Sequence, residues 1–196
     1  LLSSLNFFSN IDSMTAIQSV SLPALVSGRN ALIKAQTGSG KTLAYAVPLL
    51  NYLIKLEPPI TRSSGSLALI ILPTRELAIQ TSTVFSTLTR SCVRIVSGLM
   101  IGGIKRKSQK ASLRKGINIV IGTPQRILDH MHMTKSLDLK CIRWLVIDEA
   151  DRLLEMGFER DVRRILTSLT PNLGSPPDSG LFKGPTQVIL LSATLT

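Results

Sequence analysis

Short apolar runs alternate along this 196-residue chain with longer segments in which apolar residues recur every three or four positions. The short runs are rich in Val, Ile and Leu without polar alternation, which is typical of strands covered on both faces. They predict strands at 31–34, 67–72, 93–96, 117–121, 145–147 and 188–191. The segments between them predict helices at 16–26, 41–56, 75–90, 107–115, 125–133 and 158–169.

Strands that alternate with helices predict an α/β fold, in which a mostly parallel sheet carries helices on both faces. Two segments are predicted as loops, because 57–66 contains Pro-Pro and Ser-Ser-Gly-Ser and 171–185 contains four prolines and three glycines. Ligands of such sheets bind at the carboxyl ends of the strands, so we expect the functional residues there.

The composition bounds the class of protein. With 44% apolar residues, the chain can bury the core of one fairly large domain. No apolar run approaches the roughly 18 residues of a membrane-spanning helix, so we expect no membrane partner. Cys92 and Cys141 are far apart and form no CxxC pair, which favours a reducing intracellular setting without a thiolate metal site.

The charge points to a class of partner. The chain has 23 Lys and Arg against 12 Asp and Glu, a formal net charge of +11. An excess of this size favours a polyanion, of which nucleic acid is the common one. A soluble domain with a merely positive surface would give the same count.

A glycine-rich run between a predicted strand and a predicted helix carries the first candidate chemistry. It reads AQTGSGKT and comprises Ala35, Gln36, Thr37, Gly38, Ser39, Gly40, Lys41 and Thr42. Glycines allow a tight turn close to phosphate, and the N–H groups at a helix start point at an anion. We expect Lys41 to reach the β- and γ-phosphates and the Thr42 hydroxyl to bind Mg²⁺. The alternative is a chance glycine-rich turn.

An acidic run supplies the complementary chemistry. Asp148-Glu149-Ala150-Asp151 follows directly on the apolar run 144–147. Asp148 is placed to hold Mg²⁺, partly through water, and Glu149 to orient and deprotonate the water that attacks the γ-phosphate. The run could instead be an acidic helix N-terminus that the macrodipole stabilises. Beside the phosphate loop, it indicates ATP hydrolysis with Lys41, Asp148 and Glu149 as catalytic residues.

These runs and several others resemble the motifs of DEAD-box ATP-dependent RNA helicases. AQTGSGKT and DEAD resemble motifs I and II, PTREL at 73–77 resembles motif Ia, and SAT at 192–194 resembles motif III. Gly102-Gly103 resembles the GG element and TPQR at 123–126 the TPGR element. The resemblance implies that 1–196 is the first RecA-like domain, a P-loop NTPase domain. It also implies that 1–18 is a partial Q motif and that the second helicase domain is absent from this chain.

The resemblance assigns further roles. Gln18 ends a segment similar to the Q motif and would read the adenine edge, since an amide offers a donor beside an acceptor. Without the resemblance, Gln18 would be a surface helix residue. Ser192 and Thr194 would couple the nucleotide state to RNA through Asp151. The alternative for the SAT run is a strand-end turn with local hydroxyl capping.

A third set matches family positions near RNA: Pro73, Thr74, Arg75, Gly102, Gly103, Thr123 and Arg126. Hydroxyls, backbone N–H groups and guanidinium groups are suitable phosphate ligands, and they carry no sequence information. For Arg75, a structural ion pair with Glu76 or another neighbour is the alternative.

Two departures from the family bear on this assignment. Met14 replaces a proline, and Gln125 replaces the glycine of TPGR, so that turn would differ if it needed glycine's backbone freedom.

A basic run, KRKSQK at 105–110, leads to Arg114-Lys115 without an intervening acid. It is either a positive edge for an RNA backbone or a solvated helix face. The wider stretch 102–121 resembles nucleolar DEAD-box proteins of large ribosomal subunit assembly. That resemblance implies ribosomal precursor RNA as the partner and a nucleolar location in the nucleus.

We therefore expect a domain that binds ATP and Mg²⁺ and remodels RNA together with a second RecA-like domain. The isolated domain should hydrolyse ATP poorly, because the family's second domain supplies arginines to the transition state. Three other functions stay open: a nucleotide-gated RNA clamp or scaffold, a DNA-directed helicase of the same superfamily, and an unrelated P-loop transport ATPase.

Overall fold

The computed structural model describes residues 13–133, 137–173 and 185–194. Most of the partial Q motif and most of the predicted loop 171–185 lie outside the described residues. The described elements follow one another in the chain order α1 (Ala16–Val26), β1 (Ala31–Lys34), α2 (Lys41–Lys55), β2 (Ala68–Ile71), α3 (Arg75–Leu88), β3 (Ser97–Met100), α4 (Arg106–Lys115), β4 (Ile119–Gly122), α5 (Pro124–Met133), β5 (Trp144–Ile147), α6 (Ala150–Glu155), α7 (Glu159–Leu173) and β6 (Gln187–Ser192). Two 3-10 turns occupy Arg62–Ser64 and Thr89–Ser91.

The six strands form one sheet in the order β1-β6-β5-β2-β4-β3, and every pairing is parallel. The α/β prediction with a parallel sheet is confirmed. β2 and β5 are buried along their whole length, which explains why their sequences are continuously apolar.

Helices cover both faces of this sheet. Alternate side chains of a strand point to opposite faces, so Ile70 joins one apolar cluster while Leu69 and Ile71 join the other. The first cluster receives side chains of α1, α2 and α3, among them Leu25, Leu49 and Phe85. The second receives side chains of α4, α5, α6 and α7, among them Leu113, Ile127, Leu153 and Ile165.

One predicted strand is wrong. The run 93–96 is not a strand, Val93 is 88% exposed, and the strand is Ser97–Met100 instead. Gly98 weakens strand propensity, which hides β3 from sequence reading. In the fold Gly98 is required, because a Cβ there would collide with the Ile117 side chain. Tertiary pairing with β4 therefore decides the position of this strand.

Two helical features also differ from expectation. α6 begins within the acidic run, at Ala150, and was not predicted as a separate helix, although the helix-start alternative for that run points to it. α7 ends at Leu173 and so enters the segment predicted as a loop from 171 onward.

The parallel arrangement brings the carboxyl ends of all six strands to one edge. The segments after β1, β2, β3, β4, β5 and β6 therefore meet there, and each contains one of the sequence motifs. In the part of the chain that the structure describes, no helix has the length and apolar character needed to cross a membrane.

Candidate functional site

The phosphate loop is a glycine-dependent turn between β1 and α2. Gly38 and Gly40 have φ of +80° and +90°, a backbone region that residues with a Cβ rarely adopt. Gly40 is the N-cap of α2, so the helix begins at Lys41. Ala35 is buried, and its N–H donates to the Ser192 carbonyl oxygen at 3.0 Å, which anchors the loop to β6.

Lys41 is the cation of this loop. It is only 7% exposed, and its Nζ has no hydrogen-bond partner within the described part of the chain. A buried ammonium without a partner is costly, so it favours an anionic ligand. The loop, α3, Asp148 and Glu149 line a cavity of about 380 Å³ beside it.

Asp148 follows β5 and is 4% exposed. Its carboxylate accepts hydrogen bonds from the Tyr45 hydroxyl at 3.2 Å and from the Glu149 N–H at 2.9 Å. Burial raises the pKa of Asp148 above its ordinary value, and the Lys41 charge and these two hydrogen bonds only partly oppose the rise. The ionised carboxylate is therefore destabilised in the free protein and favours a cation.

Tyr45 is a site residue that the sequence analysis missed. Burial, together with the nearby Asp148 charge, raises the pKa of Tyr45 well above 10, so the neutral hydroxyl donates to Asp148. Tyr45 stands four positions after Lys41 on α2, and residues at this spacing share one helix face. That spacing was the available signal.

Glu149 has an unusual backbone. It is the one non-glycine residue with positive φ among the described residues, at φ 50° and ψ 53°. Its side chain is nearly buried, and Oε2 accepts from Arg152 Nη1 at 2.9 Å. Left-handed backbone at a polar residue costs energy and is concentrated at functional sites. Arg152, three positions further on, is a second partner that the sequence analysis missed.

Asp151 joins the acidic run to the end of β6. Its Oδ2 accepts from the N–H groups of Ala193 and Thr194, at 3.0 and 2.9 Å, and from the Thr194 hydroxyl at 3.0 Å. Ser192 Oγ donates to the Thr194 carbonyl oxygen. Although desolvation raises the pKa of Asp151, the hydrogen bonds from Thr194 and from the Arg152 N–H outweigh it and lower the pKa to about 2.

Gln18 touches the phosphate loop. Its Oε1 accepts from the Thr15 N–H at 3.0 Å in a capping box, and its Nε2 donates to the Gly40 carbonyl oxygen at 3.2 Å. Gln18 is 9% exposed, so it is not a surface residue. An amide has two N–H donors and two oxygen lone pairs, so one of each is left for a further ligand.

The proposed RNA residues after β2 and β3 lie against each other. Thr74 caps α3 by accepting from the Leu77 N–H at 3.3 Å, and Pro73 before it is buried. The exposed Arg75 reaches Gly103, where an added Cβ would stand 2.8 Å from Arg75 Cζ. Arg75 forms no ion pair with Glu76 or with any other described residue, so the fold does not support a structural ion pair as its role.

The proposed RNA residues after β4 begin α5. The Thr123 N–H donates to the Met100 carbonyl oxygen at 3.1 Å, which ties it to the end of β3. The Arg126 side chain is 12% exposed, its Nε lies 4.0 Å from Asp129 Oδ2, and its Nη1 has no hydrogen-bond partner in the described part of the chain. Gln125 lies within α5 and not in the left-handed region, so this turn needs no glycine.

Buried hydrogen bonds of Gln109 join α4 to the end of β3 and to α5. Gln109 of α4 donates to the carbonyl oxygens of Leu99 and Ile101, and its Oε1 lies 2.8 Å from His130 Nε2. Because the Gln109 oxygen can only accept, His130 must donate from Nε2. Burial and the charge of Arg126 lower the pKa of His130, which favours the neutral ring.

The sequence was compared with protein families and with known proteins. A family model described as DEAD/DEAH box helicase matches residues 15–196. The human protein named ATP-dependent DNA helicase DDX31 is 46% identical over 196 residues, which are 100% of this chain and 22% of that protein. A Drosophila melanogaster protein named probable ATP-dependent RNA helicase CG8611 is 47% identical over 95% of this chain and 19% of its own length. The Schizosaccharomyces pombe protein named ATP-dependent RNA helicase dbp7 is 50% identical over 84% of this chain and 24% of its own length.

Solved structures of DEAD-box proteins are also similar to this chain. The crystal structure of the yeast DEAD-box splicing factor Prp28 matches with a TM-score of 0.88 and 32% identity, over 100% of this chain and 44% of that one. A DEAD box protein from Methanococcus jannaschii matches with a TM-score of 0.81 and 32% identity, over 100% and 47%. The chain spans about a fifth of the length of the curated relatives described above.

Proposed function

The chain belongs to the DEAD/DEAH box helicase family, and we propose that it is the ATP-binding domain of an ATP-dependent RNA helicase. In this proposal, hydrolysis drives the unwinding of RNA duplexes or the remodelling of ribonucleoproteins. The observation that carries it is the buried Lys41 Nζ, which has no hydrogen-bond partner among the described residues, beside the buried carboxylate of Asp148. Such a pair suits a phosphate and a cation that arrive together.

The phosphate loop is proposed to hold ATP. Its backbone N–H groups and Lys41 would contact the phosphates, and Gln18 would contact the adenine with its remaining donor and acceptor. Thr42 and Asp148 would hold Mg²⁺, in part through water, because hydroxyl and carboxylate oxygens are its preferred ligands. When bound, Mg²⁺ neutralises phosphate charge. The raised pKa of Asp148 suits this role, since a bound cation stabilises the ionised carboxylate.

Glu149 is proposed as the general base for the attacking water. Glu149 lines the same cavity as Lys41 and Asp148, and Arg152 donates a hydrogen bond to its Oε2. A carboxylate fixed by one partner keeps the other oxygen available to orient water. Arg152 would therefore act as a positioning residue for Glu149.

Asp151, Ser192 and Thr194 are proposed to couple the nucleotide site to RNA. Asp151 sits two positions from Glu149, and its hydrogen bonds reach the end of β6. A displacement of Glu149 would therefore be transmitted to Ala193 and Thr194 through one carboxylate.

RNA is proposed to bind along the edge formed by Thr74, Arg75, Gly103, Thr123 and Arg126, with Pro73 and Gly102 shaping it. These residues follow three different strands and converge at the same sheet edge. The buried Nη1 of Arg126 has no hydrogen-bond partner among the residues that the structure describes and is suited to a phosphate oxygen. Contacts of this kind fix the RNA backbone without reading its sequence.

A second RecA-like domain of the full-length protein is proposed to complete the site. The family's second domain supplies arginines for the transition-state charge, so residues 1–196 alone should turn over ATP weakly. We further propose a role in ribosome biogenesis, with ribosomal precursor RNA as substrate and the nucleolus as location. This finer proposal rests on the likeness of 102–121 to nucleolar DEAD-box proteins.

The test compares the full-length protein with its Glu149→Gln variant. ATP hydrolysis should fall by roughly 10²- to 10⁴-fold while ATP binding is kept, because Gln has the same shape but cannot take the proton. RNA release after one ATP-binding event should slow to the same extent. Unchanged hydrolysis in the variant would refute the assignment of Glu149.

Two other functions can be distinguished from this proposal by experiment. A nucleotide-gated RNA clamp would retain ATP-dependent RNA binding but show no duplex unwinding by the wild type. A DNA-directed helicase is suggested by the human relative, which is named a DNA helicase. Stimulation of ATP hydrolysis by single-stranded RNA but not by DNA of the same sequence would decide between the nucleic acids.

A further inference from the structure

Helix α4 carries a row of basic side chains. It packs against the sheet through Gln109 and Leu113, which are its buried residues. Lys107, Lys110 and Arg114 recur at spacings of three and four and so share one side of the helix, away from the packed side. We name these three residues the α4 stripe.

The α4 stripe is not neutralised by the protein. None of its three side chains forms an ion pair with any residue that the structure describes. The nearby Asp129 forms an ion pair with Arg106 at 2.9 Å, and its carboxylate lies 4.0 Å from Arg126 Nε. Asp129 thus joins the start of α4 to an arginine of the proposed RNA edge.

Helix stability does not account for the basic residues in the first half of α4. The first turn of the helix contains no acid, and Lys107 there opposes the positive end of the helix dipole, whereas Arg114 in the last turn is favoured by it. Like charges three or four positions apart also repel each other. The dipole therefore explains Arg114 alone, and a polyanionic ligand explains all three residues.

The position of the stripe continues the proposed RNA edge. α4 begins three positions after Gly103, against which Arg75 lies. Its 10 residues extend for about 15 Å at the rise of an α-helix. A depression of about 190 Å³ between α4 and α5 is lined by Arg106, Lys107 and Lys110, among others.

We propose that the α4 stripe binds backbone phosphates of RNA that extends beyond the edge formed by Arg75, Gly103 and Arg126. The stripe lengthens the RNA segment that the domain holds and gives it a stronger dependence on salt. Exposed Lys and Arg bind phosphate chiefly through release of counterions, without reading bases. The inference rests on the proposed function, because it assumes that RNA occupies that edge.

The test uses the full-length protein with a non-hydrolysable ATP analogue and two uridine RNAs, of roughly six and roughly fifteen nucleotides. The variant Lys107→Gln/Lys110→Gln/Arg114→Gln should lose roughly 10- to 100-fold in affinity for the longer RNA near 0.1 M salt. The slope of log affinity against log salt should become shallower by about 2 on that RNA. Affinity for the short RNA should stay within about twofold.

The matched control removes the same charge elsewhere, from exposed side chains on other elements: Arg29→Gln/Lys55→Gln/Arg164→Gln. It should bind both RNAs like the wild type. The charge-preserving variant Lys107→Arg/Lys110→Arg should also retain wild-type affinity, which tests charge separately from folding.

Each other outcome overturns the inference. Unchanged affinity of the stripe variant for the longer RNA would mean that the stripe serves another ligand, such as an acidic protein. Equal losses on both RNAs, or the same loss in the control, would mean that only net charge matters. Failure of the wild type to bind either RNA in the presence of nucleotide would refute the proposed function itself. The comparison among variants tests only the stripe, so the two failures can be told apart.

Discussion

Asp151 and Thr194 are 43 positions apart in the sequence, yet one oxygen of the Asp151 carboxylate accepts both the N–H and the hydroxyl of Thr194. The distances are 2.9 and 3.0 Å. Hydrogen bonds of this kind favour the ionised carboxylate and lower the pKa of Asp151 to about 2. The residues directly after β6 are thus held by the acidic run.

This relationship predicts a pH dependence of stability. The folded protein binds the Asp151 proton less tightly than the unfolded chain, whose value is near 3.8. The stabilisation is therefore fully present above pH 3.8 and is lost as the pH falls through about 2. The Asp151→Asn variant should be less stable than the wild type near neutral pH and should lose less stability over this window. Urea unfolding at a series of pH values measures both.

Removal of the Asp151 carboxylate should weaken the coupling of ATP hydrolysis to unwinding more than hydrolysis itself. Because Asp151 contacts Ala193 and Thr194 and not the cavity beside Lys41, Asp151→Ala in the full-length protein should lower unwinding more than ATP hydrolysis. Asp138→Ala, at an exposed aspartate elsewhere, is the control and should change neither. A parallel loss of both activities would contradict the coupling role.

A second prediction concerns Mg²⁺ and Asp148. Burial raises the pKa of Asp148, so protons compete with the cation at a higher pH than they do at an ordinary aspartate, near 3.9. The Mg²⁺ affinity of the nucleotide-free protein should accordingly fall as the pH is lowered through a range above that value. Calorimetric titration from about pH 7 to about pH 4 measures this. In Asp148→Asn the Mg²⁺ affinity should be weak and should not vary with pH over this range. If the Mg²⁺ affinity of the variant varied with pH as that of the wild type does, Asp148 would be excluded as the ligand.

A third prediction separates backbone strain from steric conflict in the phosphate loop. Gly38 and Gly40 both have positive φ, but a Cβ on Gly38 meets open space, while one on Gly40 stands 2.6 Å from Gln18 Nε2. Gly38→Ala should cost roughly 1–2 kcal/mol for the left-handed backbone alone. Gly40→Ala should cost about 1–3 kcal/mol more for the overlap. Thermal unfolding checks this, because each kcal/mol lowers Tm by about 2–4 °C in a domain of this size.

The double variant Gly40→Ala/Gln18→Ala supplies the control for that overlap. It should recover part of the extra loss, since Gln18 is the nearest conflicting group, and the remaining loss should approach that of Gly38→Ala. Purely additive losses would mean that Gln18 does not pack against the loop in solution.

A fourth prediction concerns the two adjacent glycines of the proposed RNA edge. A Cβ on Gly103 would collide with the Arg75 guanidinium, whereas a Cβ on Gly102 meets only Arg75 Cδ at 3.9 Å. Gly103→Ala should displace Arg75 and weaken RNA binding by roughly five- to tenfold, the loss of about one phosphate contact. Gly102→Ala should have little effect. Fluorescence anisotropy with a labelled single-stranded RNA measures both affinities. Equal affinities of the two variants would mean that Arg75 does not contact RNA.

The elements that the sequence revealed are those whose local pattern and tertiary environment agree. β2 (Ala68–Ile71) and β5 (Trp144–Ile147) lie within one residue of the predicted bounds 67–72 and 145–147, because every residue in these two strands is buried. β3 was missed because its glycine is explained only by Ile117, a residue about twenty positions later. Local propensity cannot report on such a neighbour.

For the candidate site, too, some features follow from the sequence and others only from the fold. The order of residues determined which chemistry is present: a phosphate loop before a helix, acids after a buried strand, hydroxyls after the last strand. Only the tertiary structure decided how these groups are held. It placed Tyr45 on Asp148, Arg152 on Glu149 and Gln18 on Gly40, with the distances quoted above.

The sequence by itself thus determined the family, the α/β architecture and the residues that meet at the sheet edge, because parallel strands bring their carboxyl ends together whatever their order. The strand order and the three hydrogen bonds that Asp151 Oδ2 accepts depended on packing between segments far apart in the chain. So did the burial of Lys41, whose Nζ has no hydrogen-bond partner in the described part of the chain. Burial and hydrogen bonding set the charge state of an acid, and both are properties of the folded environment and not of the residue type.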